Sequence, residues 1–333
     1  MSIPYSFHPQ LVLRTPRFPF TGNIDEATIR SLTGNRLFME AIYLASPVLY
    51  DECLKWNAGQ LTDKKPVQKL RRSLVKYFSR MSSRCTPFGL FSGCNVVPWG
   101  DASTNITLNN NRIKRHTRFD MHYLCALSQK LATLPGIKDH LRYYPNNSHY
   151  RLGDERRYVE YRYVNGRRLH QITAVSDESY LRKILQAAEN GITIEEAAAL
   201  LVNDEITTDD ALAFVEELLE AQLLVSEMEP AITGEEFIYQ VIAVLERIYQ
   251  ENHNEGLREI IDTLQQANRM LQEIDQQADN TASVYRAIQQ CLDKLEVPYE
   301  ESKLFQTDII KESVEAVVST ALQHQLLSAL SLL

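Results

Sequence analysis

The sequence predicts an α+β fold, with mixed strands and helices in the N-terminal half, an embedded winged-helix-like module and a mainly helical C-terminal part. Three patterns lead to this prediction. Strand-like and helical stretches alternate in the first region. The sequence after it begins with the two-residue periodicity typical of strands, and helical periodicity dominates beyond residue 234. The predicted regions are residues 1–144, 145–228 and 229–333.

The first region begins with a strand at residues 11–14, which ends before a proline because the residue preceding proline avoids the helical conformation. Helical patterns cover residues 24–60. Short strands are predicted at residues 95–98 and 106–108, and Asp120 stands at the expected N-cap of the next helix. These elements describe a mixed α+β region.

Residues 64–100 form the most basic stretch, with eight Lys and Arg residues and no carboxylate. The first half has a helical period, so Arg80 and Arg84, which are four residues apart, share a face if the helix persists. Thr86 precedes a proline and therefore starts an extended turn, which continues into the apolar, glycine-marked sequence FGLFSG. A basic helix that runs into a rigid aromatic corner suits a large polyanion.

The middle region alternates in its first part and turns helical in its second. The Asn165-Gly166 pair is a hairpin signal between two of its strands. Three helices and a returning strand complete a winged-helix-like module. Its predicted strands are residues 148–152, 158–164, 168–175 and 223–225, and its predicted helices are residues 179–188, 194–202 and 208–220.

The helices of this module are acidic, so phosphate would repel them and DNA binding is disfavoured. Capture of a peptide strand by an exposed sheet edge is the better use of such a module. Beyond it we expect three helices, a strand at residues 304–308 and a final helix from about residue 312 to the last residue. Because the sequence ends on an apolar run without a cap, the chain is expected to be cut short.

Charge divides the chain into two parts. Residues 1–175 contain 26 Lys and Arg against 12 Asp and Glu, a net charge of +14, and residues 176–333 have a net charge of −22. This asymmetry suggests a polyanion-binding first half. Neutralisation of one half by the other across a domain contact is an equal alternative.

The five cysteines have no C-x-x-C spacing, so neither a disulfide framework nor a zinc site is indicated. With no signal peptide at the N-terminus, a cytoplasmic protein is expected. No nucleotide, metalloprotease or serine-hydrolase motif occurs, and no metal site or bound cofactor is predicted. The remaining candidates are arginines, which bind phosphates and stabilise oxyanions. They are Arg14, Arg17, Arg80, Arg84, Arg115, Arg118, Arg156 and Arg157.

The stretch SRMSSRCTPFGLFSG resembles the N-terminal glutamylation domain of class I lantibiotic dehydratases. LRTPRFPF near the start, RFDMHYL at residues 118–124, RYVEYRY at 157–163 and FVEELLEAQLLVSEMEPAITG at 214–234 support the resemblance, with a weaker echo at LFQTDII. The matches spread over most of residues 11–234.

The resemblance implies a function in lanthipeptide biosynthesis. Family members use glutamyl-tRNA as co-substrate to esterify Ser and Thr of a ribosomal precursor peptide, and a separate domain or subunit then eliminates glutamate to leave dehydroamino acids. The winged-helix-like module matches the element that binds the leader peptide. The implied catalytic residues are Arg80, Arg84 and Asp120, and the predicted substrate-binding residues are Arg14, Arg17, Thr86, Arg115 and Arg118.

Several alternatives stay open from the sequence. Asp120 is either a helix cap or a carboxylate that orients Arg118 or a substrate amine. The family's glutamylation domain is longer than this chain, so we expect the chain on its own to lack part of the active site. An elimination subunit, a cyclase or a second copy would be further partners. The chain is alternatively a non-catalytic leader-peptide-binding or scaffold module.

Overall fold

A computed structural model describes residues 6–22, 24–101, 103–164, 167–231 and 233–330. The strands are β1 (Gln10–Pro16), β2 (Ser92–Gly100), β3 (Asn105–Phe119), β4 (Tyr143–Pro145), β5 (Tyr150–Leu152), β6 (Glu155–Val164), β7 (Arg167–Ser176), β8 (Leu224–Ser226) and β9 (Phe305–Ser319). The helices are α1 (Glu26–Gly34), α2 (Arg36–Ala45), α3 (Pro47–Asn57), α4 (Lys64–Ser83), α5 (Met121–Leu131), α6 (Pro135–Lys138), α7 (Ser179–Ala187), α8 (Ile194–Ala199), α9 (Thr208–Glu220), α10 (Phe237–Asn252), α11 (Glu255–Asp275), α12 (Ala282–Leu292) and α13 (Thr320–Leu330).

The predicted α+β class is confirmed, and the chain forms two compact units. Unit 1 contains residues 1–120 and 266–333, and unit 2 contains residues 121–265. The three functional regions predicted from the sequence stay a prediction. Among the described residues, no helix combines the length and apolar character needed to cross a bilayer.

Unit 1 contains a four-stranded sheet with the order β1-β2-β9-β3. Strand β9 runs parallel to β2 and antiparallel to β3, while β1 is antiparallel to β2. One face of the sheet packs on helices α1–α4 through apolar side chains such as Phe38, Leu74, Phe91 and Ile309. Burial of this core stabilises the helix and the corner that carry the predicted site.

The prediction of a final helix from about residue 312 was wrong. Strand β9 continues to Ser319 and only then does α13 begin; residues 331–333 lie outside the described part of the chain. The β-branched residues of this segment favour a strand. Hydrogen bonds to β2 on one side and to β3 on the other stabilise the strand. Periodicity within the segment does not reveal this pairing.

Unit 2 holds an antiparallel sheet with the order β5-β6-β7, a short β4-β8 pair and helices α5–α10. Helices α8 and α9 begin with capping boxes, in which Thr193 pairs with Glu196 and Thr207 with Asp210. The predicted Asn165-Gly166 turn lies outside the described residues, but β6 and β7, which flank it, pair as expected. The winged-helix character of this region stays a prediction.

Candidate functional site

Helix α4 carries the basic face predicted from the sequence. Its proline stands in the first turn, where the missing N–H is harmless, and no glycine interrupts the helix. The buried stripe consists of Leu70, Leu74, Phe78 and Met81. The opposite side exposes Lys65, Lys69, Arg72 and Lys76 to solvent.

In the part of the chain that the structure describes, no carboxylate forms an ion pair with those four cations. Arg71 differs, because it binds Glu26 of α1. The exposed side of α4 therefore has a positive charge that no neighbouring side chain neutralises. A surface of this kind attracts polyanions and releases their counterions on binding.

The helix ends in the corner predicted from TPFGLFSG. Arg84 caps α4 and donates its backbone N–H to the Arg80 carbonyl over 3.1 Å. Ser92 Oγ donates to the Thr86 carbonyl, which closes the turn. A Cβ on Gly93 would lie 2.6 Å from the Ile309 carbonyl oxygen, so only glycine lets β2 approach β9 this closely.

Arg80 is held against the corner by an aromatic ring. Its guanidinium carbon lies 4.2 Å from the centre of the Phe88 ring, a cation–π distance. Phe88 and Gly89 also line a cavity of about 340 Å³, together with Asp120 and Asp308. Phe88 thus contacts Arg80 and also lines a cavity that two carboxylates line.

Asp120 and Asp308 reach this cavity from the ends of two paired strands. The Asp120 N–H donates to the Leu304 carbonyl over 2.9 Å, which fixes the end of β3 beside the start of β9. One Nη of Arg118 lies 2.7 Å from a carboxylate oxygen of Asp308. Asp308 is therefore an ion partner of Arg118. The two roles that the sequence suggested for Asp120, in orienting Arg118 and in catalysis, stay predictions. The strand pattern of LFQTDII places Asp308 on a strand, but it does not identify Arg118 as the partner.

Arg14 and Arg17 lie at the end of β1 in different surroundings. Arg14 is exposed opposite Cys94, whereas Arg17 is half-buried and its N–H donates to the Phe91 carbonyl over 2.9 Å. Burial lowers the pKa of Arg17, and the charge of Arg115 lowers it further. Lys311 is buried nearby and donates to the Pro16 carbonyl over 2.8 Å. Its pKa is likewise lowered, first by burial and then by Arg17.

Arg115 lies inside the protein. Its guanidinium donates to both carboxylate oxygens of Glu40, over 2.6 and 3.1 Å, and to the Tyr285 hydroxyl over 3.0 Å. Burial lowers the pKa of Arg115, but hydrogen bonding and the charge of Glu40 outweigh that effect and raise it. In the structure this arginine binds protein groups, and its contact with substrate stays a prediction.

Unit 2 presents one closed and one open sheet edge. Beside β6, Ser148 Oγ accepts from the Val159 N–H over 2.9 Å and Asn146 Nδ2 donates to the Val159 carbonyl over 3.0 Å. The Gln222 amide bonds both the N–H and the carbonyl of Tyr161, over 3.0 and 2.8 Å. Among the described residues β7 pairs only with β6, so its other edge is open to an added strand.

Within the described residues, no group of three or more His, Cys, Asp or Glu side chains is placed to hold a metal ion. The candidate chemistry of unit 1 is built from arginines, carboxylates and backbone groups. Arginines can stabilise an ester oxyanion, and a carboxylate can bind an ammonium group or accept a proton.

Known proteins resemble this chain in sequence and in fold. The family model described as lantibiotic dehydratase, N terminus, matches residues 34–333. The nisin biosynthesis protein NisB of Lactococcus lactis subsp. lactis is 35% identical over 126 residues, which are 38% of this chain and 12% of NisB. The subtilin biosynthesis protein SpaB of Bacillus subtilis is 25% identical over 217 residues, which are 64% of this chain and 20% of SpaB. The chain thus spans a quarter or less of the length of these relatives.

Two solved structures share the fold. The tRNA-dependent lantibiotic dehydratase MibB from Microbispora sp. 107891 has a TM-score of 0.76 at 18% identity, over 96% of this chain and 30% of MibB. The glutamylation domain of TbtB from thiomuracin biosynthesis has a TM-score of 0.53 at 15% identity, over 92% of this chain and 36% of the TbtB chain. At such identities the likeness establishes the fold alone.

Proposed function

Because the chain belongs to the lantibiotic dehydratase family, whose N-terminal model covers residues 34–333, we propose that it takes part in tRNA-dependent glutamylation of a precursor peptide. Glutamate passes from glutamyl-tRNA to Ser and Thr hydroxyls, and a separate domain or subunit eliminates it to leave dehydroamino acids. Glutamyl-tRNA is the co-substrate, and no bound cofactor is needed. MibB, which shares the fold, is itself a tRNA-dependent lantibiotic dehydratase.

Unit 1 would bind the RNA. The exposed side of α4 offers cations without carboxylate partners, which suits the phosphates of an acceptor stem. At the end of the helix Arg80 and Arg84 would contact the charged 3′ end. The position of Arg80 is the main support for this proposal, because its guanidinium is fixed over Phe88 beside the cavity that Asp120 lines.

The chemistry in that cavity would be acyl transfer. Attack of a Ser or Thr hydroxyl on the carbonyl carbon of the glutamyl ester develops negative charge on the carbonyl oxygen, and Arg80 and Arg84 would stabilise that charge. The bond to the tRNA ribose oxygen then breaks, and this oxygen leaves with the proton that the attacking hydroxyl gives up. Asp120 would bind the ammonium group of the glutamyl moiety, while Asp308 holds Arg118 in place through their 2.7 Å contact. Arg14, Arg17 and Thr86 would bind the substrate near the TPFGLFSG corner.

Unit 2 would bind the leader of the precursor peptide. Side-chain amides and a hydroxyl already bind the backbone of β6 at Val159 and Tyr161. A peptide strand would therefore add to the open edge of β7. Leu169 and Ile172 are both exposed on β7 and point to opposite faces of the sheet, so each face offers one apolar contact to such a strand.

Binding of tRNA, measured by fluorescence anisotropy at several salt concentrations, tests the proposal. The wild-type chain should prefer tRNA to duplex DNA. The Arg80→Ala/Arg84→Ala variant should bind at least about ten-fold more weakly and depend less steeply on salt, because two cations at the 3′ end of the RNA are lost. Arg157→Ala/Arg258→Ala is the matched control in unit 2, where each arginine has a carboxylate partner.

Equal losses in the two double variants, or equal binding of tRNA and DNA by the wild type, would contradict the proposal. A wild-type chain that binds a leader peptide but no tRNA would instead support the scaffold function. Transfer itself is tested by mass spectrometry of the precursor peptide incubated with glutamyl-tRNA, where each ester adds one glutamyl residue.

A further inference from the structure

Helices α3 and α4 enclose a groove that the proposed reaction leaves unused. The cavity has a volume of about 650 Å³, within the usual range of small-ligand pockets. One part of its wall is apolar, with Val48 and Leu49 on α3 facing Leu70 and Tyr77 on α4. The lining also includes Glu52, whose carboxylate pairs with Lys55 over 2.9 Å. Val48 is 76% exposed, so its side chain is accessible to a ligand in the groove.

A second hollow lies directly beside the groove and has the opposite character. It has a volume of about 400 Å³, and cationic and polar side chains form its entire lining. Lys65, Lys69 and Ser73 line both hollows, so an apolar surface and a basic surface share one wall. Arg72 and Lys76 complete the basic side.

This pairing of surfaces matches the two halves of a nucleotide. An unpaired base is flat and stacks on apolar or aromatic surfaces, while its phosphate binds Lys and Arg. A duplex exposes no unstacked base for such a groove. The ligand class that fits is therefore single-stranded nucleic acid.

The groove lies on the same helix as the predicted reactive corner. Tyr77 contacts the groove and packs edge-to-face on Phe91, with ring centres 5.5 Å apart. Along α4, Lys69 and Arg80 are separated by about 16 Å at the usual rise per residue. A few nucleotides of one strand can cross that distance, so the base and the aminoacyl ester would belong to the same RNA end.

Resting on the proposed function, we infer that the groove between α3 and α4 receives an unpaired base from the single-stranded 3′ end of tRNA. Lys65 and Lys69 bind the adjacent phosphate. The groove thereby distinguishes a tRNA with its bases from a bare polyanion and positions the ester at Arg80.

The test compares tRNA with a tRNA whose unpaired 3′ nucleotides lack their bases but keep their phosphates. The wild-type chain should bind the abasic RNA about ten-fold more weakly. Ser73→Leu places a branched aliphatic side chain, which cannot stack as an aromatic would, in the shared wall. This variant should bind both RNAs equally, with an unchanged salt slope.

Val48→Met reaches the groove from the opposite, exposed wall and should reduce the same preference even if Ser73→Leu destabilises the helix. Ser31→Leu, on the exposed side of α1, is the matched control and should keep the ten-fold preference. A preference for bases that survives in both groove variants would overturn the inference, as would equal binding of both RNAs by the wild type. A wild-type chain that binds tRNA no better than duplex DNA would instead refute the proposed function.

Discussion

The cations of helix α4 and the arginines around Asp177 have the same charge but differ in whether a carboxylate of the protein pairs with them. Lys65, Lys69, Arg72 and Lys76 on α4 have no ion-paired carboxylate among the described residues, whereas Arg71 on the same helix pairs with Glu26. In unit 2, Asp177 has Nε of Arg156 at 2.9 Å and Nε of Arg151 at 3.2 Å, with Arg182 also beside it. The Asp177 cluster is neutralised from within the protein, whereas the cations on α4 remain available to an external anion.

This difference shows what a basic sequence pattern means. Both regions look cationic in the sequence, and Arg156-Arg157 appeared among the same candidates as Arg80 and Arg84. Only the position of the carboxylates separates a structural cluster from a binding surface. Arg115 shows the same effect inside unit 1, where Glu40 neutralises it.

Loss of that buried carboxylate should have the largest effect on stability. Glu40→Ala leaves Arg115 unpaired in the core, and we expect it to lower the free energy of unfolding by about 3–5 kcal/mol. Urea unfolding followed by tryptophan fluorescence measures this in unit 1, because both tryptophans, Trp56 and Trp99, lie there.

Asp51→Ala provides the control, since its ion pair with Arg286 is about half exposed on both sides. Removal of this pair should cost less than about 1 kcal/mol. Similar losses in the two variants would show that the buried network does not neutralise Arg115 in the way the contacts suggest.

The Asp177 cluster should give a smaller effect that depends on pH. Burial alone would raise the pKa of this carboxyl, but hydrogen bonds and charges from Arg156 and Arg182 lower it below its usual 3.8. A folded pKa below the unfolded value stabilises the protein fully above about pH 4, and the contribution is lost as the pH falls through the folded pKa. Asp177→Asn should therefore lower the Tm most at pH 7.

Thermal unfolding of wild type and Asp177→Asn between pH 7 and pH 3, followed by circular dichroism, checks this. The difference in Tm between the two proteins should shrink below about pH 4. A difference that stays constant over this range would mean that the carboxylate charge does not hold the three arginines.

The sequence predicted local features well because their causes are local. The helical stripe of α4, the turn after Thr86 and the capping boxes at Thr193 and Thr207 all depend on residues a few positions apart. The α+β class followed from the same patterns.

The sequence did not reveal features that depend on distant pairing. Strand β9 is defined by its hydrogen bonds with β2 and β3, and that pairing brings Asp308 to Arg118. Burial of Arg115 likewise requires Glu40, which is 75 positions away in the chain. Periodicity within one segment contains no information about such partners.

Lysine footprinting in the presence of tRNA tests the central claim most directly. With saturating tRNA, acylation of Lys65, Lys69 and Lys76 on α4 should slow several-fold, while Lys183 in unit 2 should react as it does in the free chain. Equal protection of Lys183 and the α4 lysines, or no protection of the α4 lysines, would contradict the account that α4 is the RNA-binding surface.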